Sequence, residues 1–141
     1  MSQTEQVLVL VKPDGVARGL VGRVIGRAEA RGYRLVRLAL RQATPELLAT
    51  HYAEHVSKPF YPALVEYMTS GPVVAVVLEG ERVITAVRTM AGATDPVNAA
   101  PGTIRGDFGR DWGTGDIRNI MHASDSPESA AREIAIWFPE A

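Results

Sequence analysis

Val7-Leu8-Val9-Leu10-Val11 is an unbroken apolar run rich in β-branched residues, the pattern of a strand buried on both faces. Lys12-Pro13-Asp14-Gly15 then signals a turn. From Leu20 to Ala30 the apolar positions Leu20, Val21, Val24, Ile25 and Ala28 recur at helical spacing, with Arg23, Arg27 and Arg31 on another stripe and Gly32 as the stop. Tyr33, Leu35, Arg37 and Ala39 alternate with Arg34, Val36, Leu38 and Leu40, which predicts a second strand with one basic edge or face. Thr44-Pro45-Glu46 opens a helix to about His55, and a short helix is expected from Phe60 to Thr69. Gly71-Pro72 breaks it before a strand from Val73 to Glu79. Glu81 to Met90 reads as a helix, Ala91 to Gly115 as an unusually long loop of the kind that carries function, and Ile117 to Met121 as a last strand. Ser126-Pro127-Glu128 starts a final amphipathic helix through Ile134, Ile136, Trp137 and Phe138.

The order β-α-β-(α-α)-β-α-β-α predicts an α+β fold of ferredoxin-like βαββαβ type: an antiparallel sheet covered by helices, a long loop and a C-terminal helix. No repeat, low-complexity tract or linker divides residues 1–141, so one domain is expected. A chain of 141 residues can bury a real core, and with Cys 0 its stability must come from packing, with a reducing cytoplasm as the expected compartment. A formal net charge of −1 argues against a polyanion-binding tail, and no apolar stretch approaches the roughly 20 residues of a membrane helix. Residues 1–6 lack the pattern of a secretory signal, so the protein is expected to stay where it is made. Of 15 basic residues only Lys12 and Lys58 are lysine, a bias that base composition of the genome largely explains.

Chemistry is suggested at few places. Gly15, Gly19, Gly22 and Gly26 fit no phosphate-loop pattern, and the spacing of Gly22 and Gly26 suits close helix packing instead. The arginine stripe Arg23, Arg27 and Arg31 is expected to be a solvated face, and nucleic-acid binding is not predicted: a ferredoxin-like RNA-binding module needs exposed aromatics on its central strands, and Val7 to Val11 and Val73 to Leu78 contain none. Arg105, between Gly102 and Gly106, is open between gripping an oxyanion and anchoring the loop to Asp107 or another carboxylate. His122, ahead of a helix start, is open between a nucleophile that Ser124, Asp125 or a carboxylate of the last helix could orient and a satisfied polar residue beside a capped helix. His51 and His55 have i, i+4 spacing without an evident third metal ligand.

Taken together, Lys12-Pro13-Asp14-Gly15-Val16, Ser70-Gly71-Pro72-Val73-Val74, Pro101-Gly102-Thr103-Ile104-Arg105-Gly106-Asp107-Phe108 and Asn119-Ile120-Met121-His122-Ala123-Ser124-Asp125-Ser126 resemble the nucleoside diphosphate kinase family, in order and over nearly the whole chain. The resemblance implies Mg²⁺-dependent transfer of the terminal phosphoryl group of a nucleoside triphosphate, commonly ATP, to a nucleoside diphosphate by a ping-pong route through a phosphohistidine. By that resemblance His122 is the nucleophile, Glu133 orients its ring with Ser124 beside it, and Tyr52 lies near. Arg88, Thr94 and Arg105 are then phosphate ligands, Lys12 and Asn119 reach ribose hydroxyls and phosphates, and Phe60 and Leu64 pack against the base. The metal rides on the nucleotide phosphates rather than in a protein cage. A homo-oligomer, hexamer or tetramer, is also implied.

Three departures from the family pattern stand out. Ala123 follows the histidine where glycine is usual. The stretch Gly109 to Ile117, with Trp112, is several residues longer than the common version, so the family's additional base-contact residue is not carried over. The chain ends at Ala141 soon after Trp137-Phe138-Pro139, without the longer tail many members use across subunits, which leaves hexamer, tetramer and dimer open.

Overall fold

The computed structural model describes residues 4–113 and 118–139. Strands β1 (Thr4–Val11), β2 (Arg34–Arg41), β3 (Val73–Glu81) and β4 (Met121–Ala123) form one sheet in the order β2-β3-β1-β4, every neighbouring pair antiparallel. β3 thus separates β1 from β2, and β1 separates β3 from β4, which is the split βαβ arrangement expected. Among the described residues seven α-helices accompany the strands: α1 (Pro13–Ala17), α2 (Val21–Ala30), α3 (Pro45–His51), α4 (Tyr61–Met68), α5 (Val83–Ala91), α6 (Ile104–Phe108) and α7 (Pro127–Trp137).

The double burial of β1 follows from its sequence. Val7, Val9 and Val11 face one core with α2, α5 and Met121, while Leu8 and Leu10 face a second with Leu48, Leu64, Met68 and Trp137. β3 is divided likewise, Val74 and Val76 to the first core and Val73, Ala75 and Val77 to the second. Both strands are therefore roofed on each side, and a continuous apolar run is what such a strand requires. Thr44 and Ser126 cap α3 and α7 by accepting from Leu47 N (3.1 Å) and Ser129 N (3.0 Å), with Pro45 and Pro127 opening each helix.

Several expectations need correction. Lys12-Pro13-Asp14-Gly15 does not turn: Pro13 opens α1. The helix begun at Pro45 ends at His51 and gives way to a short 3₁₀ turn, Ala53–His55. In β2 the pairing slips between Leu35 and Arg37, so Leu35 packs on the first core and Ala39 on the second, although simple alternation put them on one face. The long loop contains α6, capped by Thr103 accepting from Gly106 N at 3.0 Å, and a 3₁₀ turn, Pro96–Asn98. The last strand begins at Met121, four residues later than expected, because Ile120 sits at φ 78°, outside the extended region; Ile117 lies outside the described residues. The arginine stripe is not simply solvated, since Arg23 and Arg27 stack over Phe108 and Arg27 donates to Gly102 O (3.0 Å) and Asp107 (2.6 Å).

Nor do Gly22 and Gly26 serve close packing, for a Cβ at either would meet no atom within 4 Å. Gly106 is the opposite case: its Cβ would fall 2.0 Å from Ala100 O, a backbone atom that cannot yield cheaply. Urea denaturation should accordingly show Gly26→Ala stabilised by about 0.5–1 kcal/mol, the ordinary benefit of alanine in a helix interior. Gly106→Ala should lose about 3 kcal/mol or more.

Candidate active site

The register of β4 on β1 pairs Leu10 with His122, which puts the imidazole on the sheet face covered by α3 and α7. Reaching that position takes a forced bend. Ile120 is fully buried with a positive φ, costly for a β-branched residue by about 1–3 kcal/mol. It is held there by Lys12 N donating to its carbonyl (2.7 Å) and by its own N–H donating to Asp14 Oδ2 (3.1 Å). Gly15 leaves room for the bend, since a Cβ there would lie 3.0 Å from Ile120 O and 2.8 Å from Val11 Cγ1. The other oxygen of Asp14 accepts from the Tyr67 hydroxyl, and burial followed by this contact pushes the phenol far up.

On α7 the buried positions are Ala130, Glu133 and Trp137, one helical face aimed at the sheet. Glu133 Oε1 lies 2.9 Å from His122 Nε2 and accepts the Ser124 hydroxyl at 2.8 Å. The same hydroxyl accepts from Leu8 N at 3.0 Å, so the carboxylate is tied to the central strand. Burial alone would raise the Glu133 carboxyl; hydrogen bonding and charge from His122, with the Ser124 bond, outweigh it and hold the group below its usual value. In a neutral His122 ring, an Nε2–H that donates to this carboxylate places the lone pair on Nδ1.

A cleft of about 220 Å³ gathers Lys12, Arg88, Thr94, Arg105, Asn119, His122, Asp125 and Glu133. Its cations are fixed largely by carbonyl oxygens. Arg88 donates to Ala123 O (2.9 Å), and Arg105 to Asn119 O (3.1 Å), Gly92 O (2.9 Å) and Met121 O (2.6 Å). Arg105 therefore makes no anchor to Asp107, whose carboxylate accepts from Arg27 and Gly102 N. Asn119 accepts Lys12 Nζ at 2.8 Å and donates to Thr94 O at 2.9 Å, joining β1, the loop and the approach to β4. These carbonyl and amide oxygens orient the guanidinium and ammonium groups, and a cleft that gathers Lys12, Arg88 and Arg105 suits a polyanion.

Tyr52 lines an adjoining cleft with His51, His55, Ser129 and Arg132, which shares His122, Asp125 and Glu133 with the first. Its hydroxyl is buried without a hydrogen-bond partner, and burial, then the Glu133 charge, pushes its pKa up. Phe60 and Leu64 line neither cleft. Phe60 is exposed, its ring 5.7 Å from that of His55, whereas Leu64 belongs to the second core. Ala123 is buried in the first core. Of the lengthened stretch, Gly109 to Gly113 is described and Trp112 stacks beneath Arg110 at 4.2 Å and Arg18 at 5.6 Å; residues 114–117 lie outside the described residues.

His51, which the sequence offered only as half of an i, i+4 histidine pair, lies against His122. It is 3% exposed, accepts Trp137 Nε1 at Nδ1 (3.1 Å) and packs edge-to-face on His122, centroids 4.8 Å apart. Burial first, then the His122 charge, lowers its pKa to about 3. The one sequence signal was Trp137 itself, whose buried N–H needs an acceptor. One donor atom each from His51, His122 and Glu133 lies within 4.8 Å of the others, close enough to suggest a metal. The donors are engaged: with Nδ1 of His51 taken by the indole, its proton sits on Nε2, and Glu133 Oε1 already accepts two bonds. Mg²⁺ prefers oxygen ligands and keeps several waters, so two imidazoles and one engaged carboxylate oxygen do not fit it as a protein cage.

A family model described as "Nucleoside diphosphate kinase" matches residues 5–141. A nucleoside diphosphate kinase of Nocardia farcinica is 59% identical over 138 residues, covering 97% of this chain and 96% of that protein. One from Archaeoglobus fulgidus is 57% identical over 136 residues, covering 96% and 87%. A crystal structure of the Aquifex aeolicus nucleoside diphosphate kinase superimposes with a TM-score of 0.90 at 42% identity, covering 96% of each chain.

The buried imidazole sets an acid limit on stability. Between about pH 6.5 and 3 His51 is protonated in the unfolded chain and neutral in the folded one, so the unfolded state binds more protons and stability falls as pH drops. Urea midpoints should imply a loss of about 1.4 kcal/mol per pH unit over that window from this group, and His51→Gln should show a shallower decline.

Proposed function

The chain belongs to the nucleoside diphosphate kinase family, and we propose that it performs the family's phosphotransfer through a phosphohistidine on His122. The observation that supports this most directly is the His122 Nε2 to Glu133 bond at the wall of a cleft lined by Lys12, Arg88 and Arg105. Glu133 fixes the tautomer that leaves the Nδ1 lone pair available as a neutral nucleophile. Nδ1 attacks the terminal phosphorus of a triphosphate such as ATP; the Nδ1–P bond forms, the bridging P–O bond breaks, and the diphosphate leaves with the electron pair. A second nucleoside diphosphate reverses these steps and carries the phosphoryl group away.

Arg88 and Arg105 neutralise the transferring group, with Thr94 at the same wall, and Lys12 and Asn119 hold ribose and phosphate oxygens. Ser124 steadies Glu133, and Tyr52 packs behind His51. The exposed face of Phe60 offers a stacking surface for any base, with Leu64 in the layer beneath. Bound Mg²⁺ supplies charge neutralisation to the phosphates. Residues 1–141 act as one domain, in a homo-oligomer. Support for association comes from β2: Leu38 and Leu40 are 56% and 68% exposed on a strand at the sheet's edge. A hexamer or tetramer would bury them. No helix among the described residues is long and apolar enough to cross a membrane, and a cysteine-free chain is suited to the reducing cytoplasm.

His122→Ala should abolish transfer of label from γ-labelled ATP to a nucleoside diphosphate while the chain still folds, and the label on the wild-type protein should be acid-labile and alkali-stable, as a phosphoramidate is. Normal phosphotransfer by the purified variant would remove the mechanism. Arg88→Ala and Arg105→Ala should each lower kcat by about 10²-fold or more; a loss confined to KM would assign them to ground-state binding instead.

A further inference from the structure

We propose that Trp137 and His51 are positioning residues for the reaction: the indole N–H, donating to Nδ1, holds His51 in its Nε2–H tautomer, and that fixed ring sets the plane of the His122 imidazole. The proposal rests on His122 being the phosphoryl acceptor. One hydrogen bond to Glu133 fixes where Nε2 sits, yet a ring held at a single atom can still rock about that bond. A second contact is needed to define the plane in which Nδ1 meets an in-line phosphorus, and reacting groups displaced by an ångström lose much of their rate. His51 supplies it, its ring 4.8 Å from that of His122 at an interplanar angle of 76°.

His51 is itself secured from three sides. Trp137 Nε1 donates at 3.1 Å with the two rings at 82°, Tyr52 packs edge-on at 4.5 Å, and Arg132 donates to the His51 carbonyl at 3.3 Å. Because the indole N–H occupies Nδ1, a second proton there would face a donor head-on. The ring thus stays uncharged while the groups around it are ionised or polar: Glu133 and Arg132 from α7, Lys12 at the end of β1, His122 on β4 and Tyr52 next to it in the chain. A cationic His51 would compete with His122 for Glu133. Neutrality leaves Glu133 to the reacting histidine alone.

Nitrogen-detected NMR of the histidine rings in the intact protein reads the tautomer directly. The wild type is expected to show His51 with Nδ1 unprotonated and Nε2 protonated, unchanged from pH 8 to 5. In Trp137→Phe, which keeps a ring and removes the donor, His51 should sample both tautomers and titrate within that range. The same variant should lose about ten- to a hundredfold in kcat with KM little changed, and its acid limb of activity should move to higher pH. His51→Asn serves as the second variant, since its amide oxygen can still accept from Trp137 while the ring edge on His122 is gone; kcat should again fall with KM held. A wild-type His51 that carries its proton on Nδ1 or titrates between pH 8 and 5 overturns the proposal, as does unchanged kcat in either variant that folds. Failure of the underlying reading is separate, because it appears as phosphotransfer by His122→Ala whatever His51 does.

Discussion

A single strand apolar on both faces, β1, constrains everything else in this molecule. Its valines close one core and its leucines another, so helices must cover the sheet on each side. Its backbone edge is then free to take only the three-residue β4, and its end delivers Lys12 beside Asn119. Burying five consecutive side chains of this kind removes on the order of 1.5–3 kcal/mol each from exposure to water, which makes β1 the rigid datum against which a strained Ile120 can be held. His122 inherits its position from that datum through its pairing with Leu10, not from the loop that precedes it.

Charge in the cleft is organised by a second device. Arg88 and Arg105 are oriented by the carbonyls of Gly92, Asn119, Met121 and Ala123, main-chain dipoles that hold each guanidinium in a fixed direction. Among the described residues, the one deeply buried carboxylate in the cleft, Glu133, is committed to His122 and Ser124. Anion and cations are thus held by different partners, Glu133 by His122 and Ser124 and the two guanidiniums by main-chain carbonyls.

What could be read from the sequence is what local rules determine. Val7 to Val11 announced a doubly buried strand, and Thr44-Pro45 and Ser126-Pro127 announced helix starts, because burial and capping act over a few residues. The features that escaped depend on distant partners. α6 spans five residues between Gly102 and Gly109, too few for periodicity to register, and is fixed by Arg105 reaching three carbonyls. The slip at Val36 is set by pairing with β3, and the late start of β4 by the hold of Asp14 on Ile120. The likeness to a family supplied the cleft residues, and the structure gathers Lys12, Arg88, Thr94, Arg105, Asn119, His122 and Glu133 at one place. It gave no hint of His51, whose meaning comes from an indole 86 positions away.

The span of these contacts along the chain bears on how the protein comes into being. Leu8 meets Ser124 across 116 positions, Lys12 meets Asn119 across 107, and His51 meets Trp137 across 86. Loop closure over such distances precedes any reward from the contacts themselves. During synthesis β1 emerges well before β3, and Glu133 and Trp137 follow the rest of the cleft. The apolar edge of β1 must therefore wait, exposed or chaperoned, until those later segments appear. A nascent chain arrested before α7 holds the cations of the cleft and both histidines but neither Glu133 nor Trp137, so it lacks the carboxylate and the indole that His122 and His51 meet.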